Sequence, residues 1–387
     1  MTYVDHRLVQ YWRISCRTGG SRDTTGKTMT EAIQPDIETA EFFTEQEIRT
    51  FSFDIQQSAL LHMFAEELAA IGGPQASGAK SKAALAAIEL KFSFSKDQCD
   101  LLGAYSDGLV SVLIFEGLQK LTDVSPPNEL PDLTSLENRY DVLCLAARNQ
   151  ILLKLVDNSA FAYDMDNEGK LIRLVANFKG GGLTRIPAEP DIKELSSHSG
   201  LALGPHTEAP YWCAINAKDG HSPSPSSLIL SALWGPSLEP TSVIALPPVL
   251  EKIGVTNCLA LTTGNFQFTR SDSFVSGKGG DGRNVSILEF DDKVGFAARF
   301  NSYRFSVNGN ASRFVKTAYA ALCRGVREAT PFEYTLTQES ALLINNVRAL
   351  HDRDIIQDNR RVLVRIFGLS KFSSSIVISE DPLRLQG

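Results

Sequence analysis

Two side chains that can bind a metal ion lie close together near the middle of the chain. His206 and Glu208 are separated by one residue in the sequence Leu203-Gly-Pro-His-Thr-Glu208. In extended backbone, residues two apart point to the same face, so an imidazole and a carboxylate at this spacing can reach one ion. Alone the pair is a weak signal, because a chain with 6 histidines and 45 acidic residues contains such pairs by chance. A third ligand is needed before the pair predicts a site.

A histidine far downstream is the candidate for this third ligand. An apolar segment, 341–344, leads to His351, and Arg365 follows inside a second apolar segment, 362–367. An unpaired charge inside a buried strand is costly, so Arg365 must meet an anion. Two imidazoles and one carboxylate on one face of an iron(II) ion leave positions open for 2-oxoglutarate and dioxygen. The sequence thus predicts an iron(II) and 2-oxoglutarate site in which Arg365 binds the distal carboxylate of the cosubstrate.

The order of these motifs resembles the clavaminate-synthase-like branch of the taurine dioxygenase superfamily, to which asparagine oxygenase and an arginine hydroxylase belong. The likeness rests on the His206-Thr-Glu208 motif, on the segment Asn345-Asn-Val-Arg-Ala-Leu-His351 and on the strand arginine Arg365. It covers roughly residues 105 to 370 and is strongest at the metal motifs. The resemblance implies a double-stranded β-helix, or jelly roll, with iron at its open end.

The resemblance also implies a role for each matching residue. The iron ligands would be His206, Glu208 and His351. Arg365 matches the arginine that binds 2-oxoglutarate, and Thr241 matches a hydroxyl that does the same. Arg361 matches a second arginine that lies near both substrate and cosubstrate. Ser197 lies in a serine-rich run, 196–200, that is similar to one in the family, and it is a candidate substrate contact.

One position departs from the family pattern. The segment Arg299-Phe-Asn301 resembles a strand in which relatives that bind polar amino acids carry an aspartate at the position of Asn301. The carboxylate that would hold a substrate cation is therefore missing. We expect Asn301 to contact the substrate, and a less charged, larger or carrier-tethered substrate is favoured over a basic amino acid.

The reaction expected from the resemblance is hydroxylation of an unactivated carbon in an amino acid or an amino-acid-derived small molecule, in a biosynthetic pathway. Glu208 argues against halogenation, since iron halogenases replace this carboxylate by a small residue to admit chloride. Desaturation or ring closure with the same cofactors stays open. The alternatives from other classes are a metal-free β-sandwich binding protein, and a cupin-like isomerase or metal-binding lectin. The last two do not need Arg365.

Hydrophobic periodicity predicts a mainly β fold with helices. Helices are expected from Asp54 onward, at 81–90 and at 311–328. Short apolar runs separated by turn residues predict strands at 109–115, 151–156, 171–175, 228–233, 242–246, 285–290, 294–300, 341–344 and 362–367. Together with the resemblance, this pattern indicates a jelly-roll core with an N-terminal helical layer and a helical insertion.

The domain organisation follows from the same pattern. Residues 1–35 are polar and irregular, which predicts a disordered segment. Residues 36–387 are expected to form a single oxygenase domain. Its helical layer is predicted at 36–100 and its jelly-roll core at 101–387, with the insertion around 311–328.

Composition excludes several classes of protein. The 38 basic and 45 acidic residues give a net charge of −7, the reverse of the balance in most nucleic-acid-binding proteins. No apolar run approaches the roughly 18 residues that a membrane span needs, and the N-terminus lacks the apolar stretch of a signal peptide. The 6 cysteines are scattered, which argues against a disulfide framework or a thiolate zinc site. We expect a cytoplasmic enzyme with a small-molecule substrate, binding neither nucleic acid nor membrane.

Overall fold

The computed structural model describes residues 47–121, 125–178, 195–236, 238–275, 277–292 and 295–387. All of these lie in one compact unit, Ala40–Gly387. The segment 1–35, predicted to be disordered, lies outside the described residues. Among the residues described, no helix is both long enough and apolar enough to cross a membrane.

The described part of the chain contains eight α-helices. They are α1 (Ile55–Ala70), α2 (Ala79–Lys91), α3 (Lys96–Ser106), α4 (Leu133–Glu137), α5 (Tyr140–Leu155), α6 (Leu246–Ile253), α7 (Val255–Leu261) and α8 (Arg313–Glu328). Helix α1 begins at a capping box, in which Asp54 accepts from the backbone N–H of Gln57 at 2.8 Å and Gln57 accepts from that of Asp54 at 3.1 Å. The three predicted helices are confirmed as α1, α2 and α8.

The strands of the described residues form four sheets. In chain order they are β1 (Ile48–Ser52), β2 (Val112–Glu116), β3 (Asn158–Tyr163), β4 (Arg173–Ala176), β5 (Leu203–His206), β6 (Ser227–Trp234), β7 (Thr241–Ala245), β8 (Phe266–Phe268), β9 (Gly282–Val285), β10 (Leu288–Asp291), β11 (Gly295–Ala298), β12 (Phe305–Val307), β13 (Phe332–Tyr334), β14 (Ala341–Asn345), β15 (Ala349–Arg353), β16 (Val362–Ser370), β17 (Val377–Glu380) and β18 (Leu383–Leu385). The large sheet has nine strands in the order β1-β2-β14-β6-β16-β3-β18-β17, with β4 also paired to β16. A small sheet has the order β13-β7-β15-β5.

The two faces of the large sheet have different neighbours. Ile229 and Val364 belong to a hydrophobic cluster formed with the helices before β6. Leu230 and Leu363, each adjacent in sequence to one of these residues, belong to another cluster that includes Val243 of the small sheet. Because successive side chains of a strand point to opposite faces, helices cover one face of the large sheet and the small sheet covers the other.

Helix α5 is the central element of the helical layer. It is buried almost all round, since it contacts α1 and α2 on one side and β6 and β16 on the other. The prediction of a strand at 151–156 was wrong, because this apolar run is the C-terminal part of α5. A helix that is apolar on all sides has no visible 3.6-residue period, so its sequence resembles a buried strand. The helical layer therefore extends beyond the predicted range of 36–100, and with helix and strand in similar shares the fold is mixed rather than mainly β.

The insertion is larger than the single helix predicted around 311–328. Between β7 and β13 the chain forms α6, α7, the strands β8 to β12 and α8. These elements have a hydrophobic cluster of their own, which includes Leu261, Phe266, Ala318 and Leu322. The insertion is thus a small packed α/β layer that leads directly into the small sheet.

Candidate metal centre and its cavity

The two candidate histidines lie opposite each other on neighbouring strands. Strands β5 and β15 pair in antiparallel fashion, and His206 is the register partner of His351. Residues directly opposite in such a pair project to the same face of the sheet. The centroids of the two imidazole rings are 4.3 Å apart. Strand pairing therefore brings together two side chains that are far apart in the sequence.

Glu208 completes the cluster from the segment that follows β5. Its carboxylate Oε1 lies 3.5 Å from Nε2 of His351. One ligand atom from each of His206, Glu208 and His351 can be chosen such that all three lie within 4.8 Å of one another. This separation is that of three ligands around a shared ion, and it is the geometry that the sequence predicted.

Hydrogen bonds from two neighbouring elements hold the segment between these ligands. The backbone N–H of Thr207 donates to the carbonyl of Phe300 at 2.7 Å, and the N–H of Phe300 donates to Oγ1 of Thr207 at 3.1 Å. The backbone N–H of Glu208 donates to Oδ1 of Asn346 at 2.7 Å, and Asn346 in turn donates to the carbonyl of Pro225 at 2.8 Å. Thr207 and Asn346 are fully buried, so the positions of both ligands are fixed before any ion binds.

The histidines have nitrogen atoms available for a metal. Nδ1 of His206 lies 2.8 Å from the carbonyl oxygen of Gly204, which can only accept, so Nδ1 carries the proton and Nε2 keeps its lone pair. Burial lowers the pKa of His206 to about 3, and the neighbouring imidazole of His351 acts in the same direction, so the ring of His206 is neutral. Nδ1 of His351 is buried without a hydrogen-bond partner. Neutral imidazoles with a free lone pair are the form that binds metals.

Glu208 is held as a carboxylate. Burial opposes its ionisation, but Arg365 and His351 outweigh this effect and hold the pKa of Glu208 well below its usual range. Nη1 of Arg365 donates to Oε1 of Glu208, and Nη2 lies 3.7 Å from Asp166. The anion that Arg365 meets in this structure is therefore a candidate metal ligand of the same chain.

The cavity beside the metal cluster contains every residue that the sequence singled out. Its lining includes the candidate ligands and the candidate binding residues: Ser197, His206, Glu208, Thr241, Asn301, His351, Arg361 and Arg365. Thr241 opens β7, and Ser197 accepts a hydrogen bond from Nε of Arg173 at 2.5 Å. The tertiary structure brings these residues together from segments spread over most of the chain.

Asn301 has several partners inside the protein. Its Nδ2 donates to the hydroxyl of Tyr211 at 3.0 Å, and its Oδ1 accepts from the backbone N–H groups of Tyr303 and Arg304, both at 3.1 Å. These bonds hold a turn beside His206, which also forms a β-bridge with Asn301. The geometry gives Asn301 a role in shaping the wall of the cavity, and direct contact with a substrate stays a prediction.

Five further ionic residues of the cavity were missed from the sequence, namely Asp166, Arg173, Arg304, Asp352 and Arg353. Arg173 in β4 donates to Asp166 at 2.7 Å, and both side chains are buried. Arg353 lies two residues after His351 and donates to the carbonyls of Ser199 and Leu201 at 2.7 and 2.8 Å. A signal for Arg173 was present, since it interrupts an apolar strand as Arg365 does, whereas Asp166 lies in a turn that gives no such signal.

Comparison with solved structures identifies the fold. Over 82% of this chain and 93% of its own, the non-heme iron oxygenase OrfP, solved with Fe, succinate and (3S)-hydroxy-L-Arg, aligns with a TM-score of 0.61 and 19% identity. OrfP with Fe and alpha-ketoglutaric acid aligns over 84% and 94% with a TM-score of 0.61 and 18% identity. Asparagine oxygenase with Fe(II), 2S,3S-3-hydroxyasparagine and succinate aligns over 87% and 99% with a TM-score of 0.62 and 16% identity.

Sequence comparison adds no closer relative. No protein-family model matches the chain, and no curated protein matches it. The similarity is therefore one of structure, and it agrees with the resemblance drawn from the metal motifs. The chain has the fold of non-haem iron oxygenases such as asparagine oxygenase and OrfP.

Proposed function

We propose that this protein is an iron(II)- and 2-oxoglutarate-dependent dioxygenase that hydroxylates an unactivated carbon of an amino acid or an amino-acid derivative. The observation that carries the proposal is the cluster of His206, Glu208 and His351, whose ligand atoms lie within 4.8 Å of one another. The cluster opens into a cavity rich in arginine, in a fold shared with oxygenases that bind iron and 2-oxoglutarate. Those oxygenases were solved with hydroxylated arginine or asparagine as product, which supports an amino-acid substrate.

The donor set fits ferrous iron. Two neutral imidazoles and one carboxylate form the ligand set of non-haem iron(II) oxygenases. Nε2 of His351 lies 3.5 Å from Oε1 of Glu208, so it is the nitrogen that an ion shared with Glu208 would bind. With iron and 2-oxoglutarate bound, the site would supply oxidative decarboxylation of the cosubstrate, coupled to transfer of one oxygen atom from dioxygen into a C–H bond.

The protein's own residues prepare this chemistry. The hydrogen bonds of Thr207 and Asn346 fix the two ligands of the β5 segment. Leucines from β5, β6 and β16 form apolar walls of the cavity, namely Leu203, Leu228, Leu230 and Leu363. Apolar walls limit access of water, which protects the reaction and strengthens each charge contact inside.

Two arginines are candidates for the distal carboxylate of 2-oxoglutarate, and we place Arg361 ahead of Arg365. The guanidinium of Arg365 is already paired with Glu208. Arg361 is 2% exposed, its Nη1 has no partner, and its Nε lies 3.5 Å from Glu239. Glu239 is two residues before Thr241, the predicted hydroxyl to 2-oxoglutarate, so Arg361 and Thr241 lie at the same end of the cavity. Nε of Arg365, which is buried without a hydrogen-bond partner, is then available to a carboxylate of the substrate.

The proposal also covers the connectivity of the two facing sheets, the cellular compartment and the binding partners. Two facing sheets with an active-site cavity between them are consistent with a jelly-roll core, and we propose that connectivity for the large and small sheets. We also propose a cytoplasmic enzyme that binds neither nucleic acid nor membrane. The proposed substrates include an amino acid or derivative that is attached to a carrier protein.

Anaerobic loading with iron(II) and 2-oxoglutarate, followed by exposure to oxygen, tests the function. We expect bound iron, the visible charge-transfer absorption of an iron(II)–2-oxoglutarate complex, and succinate release that increases with a substrate from a screen of amino acids and peptides. The mass of the product separates the outcomes, because hydroxylation adds one oxygen atom whereas desaturation or ring closure removes two hydrogens.

A matched pair of histidine variants controls the experiment. His351→Ala should abolish both the absorption and the succinate. His62→Ala, which changes a histidine on α1 that lies 3.5 Å from Glu66, should retain both. If His351→Ala binds iron and releases succinate like the unmodified protein, His351 is not a ligand and the proposed metal centre is wrong. If the unmodified protein itself forms no iron-dependent succinate, a non-catalytic binding protein becomes the better description.

A further inference from the structure

The cavity contains more positive than negative side chains. Five arginines line it, Arg173, Arg304, Arg353, Arg361 and Arg365, against three carboxylates, Asp166, Glu208 and Asp352. This balance is the reverse of that of the whole chain, whose net charge is −7. A basic cavity in an acidic protein concentrates anions, since field lines are focused in a cleft with low-dielectric walls.

Each carboxylate of the cavity already has a partner within the protein. Asp166 accepts from Arg173 at 2.7 Å, Glu208 accepts from Arg365, and Asp352 is hydrogen-bonded to Ser242. Asn301 occupies the position from which an aspartate could have held a cation, and its oxygen accepts two backbone N–H groups. Among the residues that the structure describes, the cavity therefore offers no unpaired carboxylate to a substrate cation.

The arginines, by contrast, keep unused donors. Nε and Nη1 of Arg353, Nη1 of Arg361 and Nε of Arg365 are all buried without a hydrogen-bond partner. Within the described residues Arg353 has no carboxylate within 4.0 Å, and its two hydrogen bonds go to backbone carbonyls. Unpaired guanidinium donors in a buried site are costly unless a ligand satisfies them.

The arginines with unpartnered donors outnumber those that the carboxylate of 2-oxoglutarate can satisfy. The distal carboxylate of 2-oxoglutarate satisfies one arginine, which we assign to Arg361, and the α-carboxylate of an amino acid satisfies Arg365. Arg353 then still lacks an anion. Because Arg353 lies two residues after the candidate ligand His351, a group bound to it stays beside the metal centre.

We propose that the substrate is acidic, an amino acid or amino-acid derivative with a second carboxylate, and that Arg353 is the side chain that selects it. The inference rests on the proposed function and narrows its substrate class. It also accounts for the absence of a carboxylate at Asn301, where a negative charge would repel such a substrate.

Ligand binding by the full chain tests the inference without turnover. The protein is loaded with manganese(II) in place of iron and with 2-oxoglutarate, and its melting temperature is followed with L-glutamate, L-glutamine, L-aspartate, L-asparagine and L-arginine as probes. Each dicarboxylate should bind roughly tenfold more tightly than its amide counterpart, since the pair differs by one charge-assisted contact. The inference would be overturned if an amide bound as tightly as its acid or if L-arginine bound most tightly of the probes. The absence of a melting-temperature shift with every probe would also overturn it.

Variants of two arginines in the same segment identify the selecting residue. Arg353→Gln should remove the preference for glutamate over glutamine, whereas Arg360→Gln, at a half-exposed arginine paired with Asp358, should keep it. Circular dichroism checks that each variant folds, and Arg353→Lys, which retains the charge, should preserve the ranking if Arg353→Gln does not fold. A folded Arg353→Gln protein that keeps the preference for glutamate over glutamine would remove Arg353 from this role. An Arg353→Lys protein that ranks the probes differently from the unmodified chain would do the same.

Failure of the inference and failure of the proposed function give different results. Succinate formed by the iron-loaded protein, together with no preference for acidic probes, would overturn the substrate class alone. Absence of iron-dependent succinate with every probe would overturn the dioxygenase function whatever the ranking of the probes.

Discussion

At the scale of single residues, the ion pairs and hydrogen bonds of each arginine indicate its role better than its position in a sequence motif does. Arg365 and Arg361 both lie in the cavity, and the sequence favours Arg365 for the cosubstrate. In the structure a terminal nitrogen of Arg365 is paired with Glu208, the guanidinium is stacked at 4.2 Å over the ring of Phe367, and the unpartnered atom is Nε. In Arg361 the unpartnered buried atom is the terminal nitrogen Nη1. Burial lowers the pKa of both arginines, which makes a bound anion more favourable at each.

Leucine variants at these two positions separate the roles. Arg361→Leu should raise the KM for 2-oxoglutarate roughly tenfold or more, because a buried charge-assisted pair is lost. Arg365→Leu should act mainly on the KM of the substrate. Steady-state succinate assays with each ligand varied in turn measure both constants, and Arg360→Leu, at the half-exposed arginine paired with Asp358, is the control. A large rise in the 2-oxoglutarate KM for Arg365→Leu, with none for Arg361→Leu, would restore the assignment that the sequence favours.

At the scale of elements, helix α5 supports the strand that presents Arg365. Its residue Asn149 donates to the carbonyl of Val364 and accepts from Ser231, so the helix is bonded to both β16 and β6. Leu152 of α5 is fully buried in the cluster that joins the helices to the large sheet. The packing of α5 therefore stabilises β6 and β16, two strands whose side chains line the cavity.

Leu152→Ala tests this dependence. Removing a fully buried leucine side chain should lower the free energy of unfolding by about 2–5 kcal/mol, through lost burial and the remaining void. Leu85→Ala makes the same change on α2, where the side chain is 60% exposed, and should alter stability by less than about 0.5 kcal/mol. Urea denaturation measures both, and equal effects of the two variants would contradict the central position of α5.

At the scale of the whole molecule, the metal centre joins parts of the fold that are remote in sequence. His206 and Glu208 belong to β5 and its following segment, and His351 belongs to β15, beyond the whole insertion. A bound ion would therefore connect both ends of a segment that contains β6, β7, the insertion and β14. An ion that binds only the folded state stabilises it by RT ln(1 + [L]/Kd), so the stabilisation rises with the logarithm of the metal concentration above the Kd.

Metal addition and removal should therefore shift the stability of the entire unit. At a concentration one hundred times the Kd, iron(II) or manganese(II) should stabilise the folded state by about 2.7 kcal/mol. Differential scanning calorimetry under anaerobic conditions should show a higher Tm with metal and a return to the starting value with a chelator. His351→Ala should lose the shift, and a shift that survives this substitution would locate metal binding elsewhere.

The sequence by itself predicted the chemistry that we propose for the site. The types and spacing of His206, Glu208, His351 and Arg365 predicted a shared metal and an anion partner, because ligand chemistry depends on side-chain type and strand periodicity is visible in an amphipathic pattern. It also predicted the helices α1, α2 and α8, whose buried residues recur at helical spacing.

Only the tertiary structure decided how the remaining groups are used. The run at 151–156 belongs to helix α5. Because α5 is buried on all sides, its sequence shows no helical period from which the helix could have been predicted. The pairing of Arg365 with Glu208, the unused donors of Arg353 and the internal hydrogen bonds of Asn301 depend on contacts between distant segments. Such contacts follow from packing and strand register, which local sequence does not specify.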